Sequence, residues 1–234
     1  MPTQTTLFLH EEIMLLALRD REGTVEFGSM YQYAIGGAIL AELLLTKRIA
    51  VDESRRKKLA NVLPAEAPGD PVIDECYAKI KNAKRRATLE TWVSRFANLR
   101  DLKHRVAKQL CRRGILRADE DKVLLIFTRK IYPEVNPEPE RAIIQRLRTA
   151  IFTDTADLDA RTVILLSLAK SADLLKFHFD KKELKTRKDR IKRIVNGEIA
   201  GSATKGAIEA MQAAVMVATI IPAIVASTTV TTSS

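Results

Sequence analysis

Between residues 89 and 110 the apolar side chains fall into one row. Leu89, Trp92, Val93, Phe96 and Leu99 recur at i, i+3, i+4, i+7 and i+10, and Leu102, Val106 and Leu110 carry the row onward. That spacing gathers on one face only if the backbone is helical. Arg100, Lys103, Arg105, Lys108 and Arg112 fall largely outside the row. The pattern predicts an amphipathic helical stretch with a basic outer side, broken near Asn98 and ended by Gly114. Such a stripe has to be covered, so the rest of the chain must supply a core for it.

The charge is as local as the stripe. Residues 81–117 hold twelve basic side chains, from Lys81 to Arg117, against Glu90 and Asp101 alone. The whole formal charge of +10 therefore lies there, and the remainder of the chain is neutral. A solvated helix face is one reading of such a run. An anionic partner (nucleic acid, membrane surface or phosphorylated molecule) is the other, and the lack of compensation favours it. A second cluster, Lys176 to Arg193, has nine basic residues and three acids.

Composition closes off several classes. With 46% hydrophobic and 29% charged residues the chain is too apolar to be disordered. Two cysteines make neither a disulfide framework nor a four-cysteine zinc site. His10, His104 and His178 stand far apart, without metal-ligand spacing. Aromatics at 5% are too few for a base-stacking surface. There is no phosphate-binding loop, dinucleotide glycine fingerprint, nucleophile elbow or paired-histidine metal motif. The chain is read as a non-enzyme, with no cofactor and no metal.

Along the 234 residues no linker is evident, which points to one domain. Leu9, Ile13, Leu16 and Ala17 mark a first helix with Gly23 as its stop. Met30 to Leu45 is a second, strongly apolar helix. Gly36-Gly37 inside it costs roughly 1 kcal/mol per glycine, a cost accepted for close helix packing or close approach of a ligand. Arg48–Val51 and Leu59–Leu63 suit a short hairpin. Asp70-Pro71 gives an N-cap and a first-turn proline, starting a helix whose inner face is Val72, Ile73, Cys76 and Ile80. Ile115-Leu116 and Val123–Phe127 are read as strands across a polar turn at 118–122. Helices are expected at 140–152, 159–179, 181–195 and 207–225. The last is too short to span a bilayer and is read as a core helix. Residues 227–234 are expected to be a disordered tail.

Two binding modes compete for the basic stretch. Arg100 and Lys103, three apart, share a side of a helix and could grip a phosphate, although spacing alone favours two simply exposed cations. A helix followed by a hairpin also matches a winged-helix nucleic-acid binder. The unbroken run Val123-Leu124-Leu125-Ile126-Phe127 is too apolar for a wing against phosphates and suits a membrane interface better.

The residues then form a recognisable order. Leu7-Phe8-Leu9-His10-Glu11-Glu12, Leu15 to Gly23, Gly37 to Leu43, Leu99 to Leu110, Arg113-Gly114-Ile115-Leu116 and Leu168 to Leu175 together resemble the Golgi phosphoprotein 3 family. These are peripheral membrane proteins that bind phosphatidylinositol 4-phosphate, with bacterial relatives. The resemblance implies a mainly α single domain over residues 7–226, with a hydrophobic helical centre ringed by amphipathic helices. It implies a β-hairpin projecting at about Asp119 to Lys130, with Val123 and Leu124 near its membrane-inserting tip. The family's headgroup pocket falls on Arg100 and Lys103. Its tryptophan position falls on Phe27 and its early arginine on Gly36. Half of the cationic pocket is thus kept, and attraction to anionic lipid is expected with little selectivity for one phosphoinositide.

The implied partners are anionic membrane lipids and cytosolic tails of membrane proteins, without nucleic acid, and a homo-oligomer through the hairpin. The implied place is cytoplasmic and peripheral, on the Golgi cytosolic face in a eukaryote. The family domain begins within about seven residues, with no arginine-rich extension before it, which is expected of a bacterial-type member or a trimmed eukaryotic one.

Overall fold

The most apolar segment becomes the centre of the molecule. In the computed structural model, which describes residues 6–18, 22–25, 30–52, 58–66, 69–123, 127–199, 207, 209, 210, 212 and 213, helix α2 (Tyr31–Leu45) is buried without interruption from Ala34 to Leu44. It has no polar face, so it must be covered on all sides. Helix α1 (Leu9–Ala17), α4 (Leu89–Ala97) and α7 (Ala160–Ser171) pack against it. The remaining helices are amphipathic and surround these: α3 (Pro71–Lys81), α5 (Leu102–Arg112), α6 (Glu138–Phe152), α8 (Leu175–His178), α9 (Lys181–Thr186) and α10 (Lys188–Val195). Strand is confined to two antiparallel hairpins, β1 (Ile49–Asp52) with β2 (Leu59–Val62) and β3 (Asp119–Val123) with β4 (Phe127–Ile131). The fold is a mainly α single domain.

Local chemistry explains the helix ends. Asp70 accepts from the amides of Val72 and Ile73, both at 2.9 Å, and Pro71 opens α3. Thr88 and Asp159 cap α4 and α7 through their side chains. The apolar row from 89 is split where the break was expected. Its two halves are α4 and α5, joined through Asn98 to Asp101, and Asp101 lies in the left-handed region at φ 55°.

Gly36 explains how close α2 and α4 come. A Cβ there would lie 2.6 Å from the Val93 carbonyl oxygen and 3.0 Å from the Ala97 nitrogen. The two helices therefore touch backbone to backbone at this point, which is the packing reading of the glycine pair.

Several boundaries differ from expectation. Helix α1 ends at Ala17, well before Gly23. Gly23 has φ +59°, and a Cβ on it would fall 2.4 Å from the Tyr132 backbone. Its carbonyl accepts from the Tyr132 amide at 2.9 Å, so the glycine serves a close approach of the β4 exit and not a helix stop. The polar run at 118–122 is no turn. Residues 119–123 are strand β3, in the register Asp119↔Ile131 to Val123↔Phe127. Charged residues can occupy such an edge because both faces here meet solvent more than core. The expected helix at 159–179 is interrupted after Ser171, where Asp173 takes φ 59°. That at 181–195 is two helices meeting at Arg187. Of the expected helix at 207–225, the described residues 207, 209, 210, 212 and 213 are helical, and the tail at 227–234 lies outside the described residues. No helix among the described residues is long and apolar enough to cross a membrane.

The core also holds charge. Glu11 and Glu12 are adjacent on α1 and diverge, as neighbours on a helix must, yet both are buried. Glu11 meets Arg113 Nε at 3.0 Å and Glu12 meets Arg146 at 2.8 Å, pinning α5 and α6 to α1. Burial pushes both carboxyls above their ordinary range, and the arginines only partly reverse it. A carboxyl raised in the folded state holds its proton more tightly there than in the unfolded chain. Its contribution to stability is fully present below the ordinary value of about 4.5 and is lost as pH rises through the folded value. The Glu11→Gln variant is therefore expected to gain stability relative to the wild type as pH rises from acid to neutral. Urea unfolding of both proteins at the two ends of that range checks it; a relative stability that falls with pH would contradict it.

Candidate functional site

The basic stretch divides into structural and available charge. Arg86 pairs with Asp52 at 2.8 Å, Arg105 with Glu75 and Arg113 with Glu11, and Arg95 lies over the Trp92 ring at 4.7 Å. Those four are used inside the fold. Arg100 and Lys103 are in a different situation, and the sequence spacing misplaces their relation. Arg100 is not on the helix. It stands in the α4–α5 connection, just before the left-handed Asp101 from which α5 starts. Its side chain is 96% exposed, with the Asp101 carboxylate 3.6 Å away. Lys103 is in the first turn of α5 and is half-buried.

The hairpin comes near enough to Lys103 for its charge to be felt. Arg129 of β4 is the charged neighbour that, after burial itself, holds the Lys103 ammonium below its ordinary range. No carboxylate pairs with Lys103 among the described residues. Arg129 is exposed and pairs with Asp121 across the β3–β4 ladder, Nη2 at 2.9 Å and Nε at 3.2 Å. Next along β4, Lys130 is exposed as well. His104 anchors this side of α5. Its Nδ1 shares a hydrogen bond of 2.9 Å with the Tyr132 hydroxyl, and the two rings lie 5.7 Å apart. Burial first, then Lys103 and Lys130, push the His104 imidazole down, so near neutral pH it is a neutral strut and not another cation.

The candidate site is thus a cationic surface where the start of α5 nears β4, with Lys103, Arg129 and Lys130 near the His104–Tyr132 contact and Arg100 in the connection just before α5. Of the residues expected from sequence, Arg100 and Lys103 are both here. Gly36 is in the α2–α4 contact, beside the end of α4 that leads to Arg100. Phe27 and Leu124 lie outside the described residues. Val123 is paired with Phe127 at the last described step of the β3–β4 ladder. Arg129, Lys130 and Tyr132 were not anticipated. The first basic cluster ends at Arg117 and the second begins at Lys176, and the Arg129-Lys130 pair two residues past the apolar run was the signal between them. No group of histidine, cysteine and carboxylate side chains among the described residues could hold a metal ion.

This architecture has relatives. Residues 9–211 match the family model of Golgi phosphoprotein 3. The chain belongs to the Golgi phosphoprotein 3 family. Among curated relatives it is similar to the vacuolar protein sorting-associated protein 74 of Eremothecium gossypii, with 28% identity over 203 residues. That match covers 74% of this chain and 61% of the relative, so the chain spans about three fifths of that protein's length. In this Golgi phosphoprotein 3 domain, Arg100 and Lys103 stand just before and at the start of α5, and Arg129 and Lys130 are exposed on β4.

Proposed function

We propose that this domain, residues 7–226, is a peripheral membrane protein that binds anionic phospholipid headgroups at the α5–β4 surface while the tip of the β3–β4 hairpin, with Val123 and Leu124, enters the membrane interface. The observation that carries the reading is Lys103, half-buried, beside Arg129 and without a carboxylate among the described residues. Neighbouring cations raise the positive potential toward which a phosphate is drawn, and Lys103 as a point charge and the exposed Arg100 as a planar fork can donate to it. Membership in a Golgi-associated family, and the likeness to a sorting-associated relative, support a trafficking role on the cytosolic face of a membrane, with tails of membrane proteins as further partners. The role proposed for this surface is binding and not catalysis.

Recognition here rests on charge more than on headgroup shape. Each Lys or Arg near an anionic surface contributes on the order of 1 kcal/mol. The double variant Lys103→Ala with Arg129→Ala is therefore expected to bind acidic vesicles about thirtyfold more weakly, roughly 2 kcal/mol. Flotation with neutral vesicles, acidic vesicles and vesicles of equal charge containing phosphatidylinositol 4-phosphate measures this, with duplex DNA as competitor. Equal flotation with neutral and acidic vesicles would overturn the reading. Competition by DNA at similar affinity would favour nucleic acid instead.

A further inference from the structure

Helix α8 presents an aromatic ring to solvent, and the α5–β4 surface does not use it. After α7 the chain reverses at Asp173, φ 59°, and makes one helical turn. That turn is fixed by its neighbours. Leu174, Leu175 and Phe179 are buried, and His178 Nε2 lies 2.8 Å from the Leu16 carbonyl oxygen of α1. With the residues around it tied inward, Phe177 points out and is 39% exposed. Lys176 Nζ stands 5.0 Å from its ring centroid and also pairs with Asp173. Lys181 and Lys182, both exposed, open α9 just beyond.

The position of this ring matters as much as its exposure. His178 holds α8 against Leu16, near the end of α1. Leu18 bridges to Val25, and between them Gly23 accepts from the Tyr132 amide. Tyr132 in turn holds His104 at the start of α5. A continuous set of short contacts thus joins α8 to the cationic surface at the same end of α1.

We propose that Phe177, flanked by Lys176, Lys181 and Lys182, is a second membrane-contact point that enters the headgroup–acyl boundary of the same anionic bilayer. This rests on the membrane reading given above. Asp173, Asp180 and Glu183 balance the three nearest lysines, but the whole stretch from Lys176 to Arg193 holds nine basic residues against three acids, so the ring gains by leaving water and the excess of cations gains from anionic lipid. A protein partner would call for a wider apolar patch than one ring among cations. The contacts through Leu16, Gly23 and Tyr132 hold α8 on the same framework as the α5–β4 surface, and the variants below test whether one bilayer reaches both.

The test is the variant Phe177→Trp, read by tryptophan emission with phosphatidylserine-containing vesicles whose acyl chains are brominated close to the headgroup. Trp92, the single native tryptophan, is 2% exposed and provides a constant background in the wild type. The expected result is a blue shift and quenching in the variant that the wild type does not show. A companion variant, Phe177→Ser, is expected to float with the same vesicles severalfold less well, with an unchanged thermal midpoint. If the Trp variant floats but its emission neither shifts nor is quenched, this proposal falls and the membrane reading stands, with Phe177 left to a protein partner. If neither protein floats with acidic vesicles, both fall.

Discussion

Gly36→Arg is expected to abolish the cooperative native state, and Gly36→Ala is expected to weaken it by about 1–3 kcal/mol. Alanine would gain about 1 kcal/mol of helix propensity over glycine, so propensity alone predicts the opposite sign. The contact decides. A Cβ at 2.6 Å from the Val93 carbonyl oxygen and 3.0 Å from the Ala97 nitrogen meets backbone atoms of α4, which cannot swing aside as a side-chain end would. Arginine would add a long charged chain to a position in the buried middle of the fold, with Phe96 Cβ next in line at 3.5 Å. Circular dichroism through a urea titration measures both variants. An arginine variant with the wild-type midpoint would show that α2 and α4 do not pack as described. The result also bears on binding, because the cation that the family resemblance would place here cannot be installed without parting these two helices.

The second large effect is expected at Arg161→Ala, a loss of about 3 kcal/mol. Glu42 is buried on α2, and its carboxylate accepts from the Leu9 amide at 2.7 Å and from Arg161 Nη2 and Nη1 at 2.7 and 3.1 Å. Arg161 also donates to the Leu7 carbonyl at 3.0 Å, so one guanidinium joins α7, α2 and the start of α1. Removing it leaves a buried carboxylate with a single amide. Breaking a buried pair from one side costs about 3–5 kcal/mol. The lower figure applies because the Arg161 side chain is about a third exposed. Replacing both partners, Glu42→Leu with Arg161→Met, should recover part of the loss, since apolar packing avoids burying charge while the Leu9 amide loses its acceptor. If the double variant is as unstable as Arg161→Ala alone, the cost comes from lost packing and not from the stranded carboxylate.

What the sequence made legible followed from periodicity and caps. The row from Leu89 to Leu110, the apolar run before Leu45 and the Asp70-Pro71 start each depend on neighbours close in the chain, and each became the expected element. The family order added the hairpin at 119–130, where residue patterning alone put a turn on the charged strand. Patterning misled there because Asp119 to Lys122 carry charge, and a strand with neither face in the core shows no apolar alternation.

The break near Asn98 was legible, but its exact form and the interruption after Ser171 were not. Asp101 and Asp173 adopt left-handed backbone where glycine would have announced it. At the candidate site, Arg100 and Lys103 were found by their charge, but their relation was not, because spacing presumed a continuous helix. The contribution of β4 was invisible for a different reason. Arg129 lies 26 positions beyond Lys103, and only the folding of the hairpin back toward α5 brings the two charges together.

The length of that hairpin sets a distance scale. Arg129 and Lys130 are two and three residues from Phe127, where the described ladder ends. At about 3.3 Å per strand residue they sit about 7 and 10 Å behind it along the strand. Electrostatic attraction in physiological salt decays over roughly 8 Å. These two cations thus stand about one screening length behind the last described pair of the ladder, so a charged surface that came up to that pair would also feel them. Strands twice as long would hold the same cations outside the reach of the same surface, and the two kinds of adhesion would act one at a time.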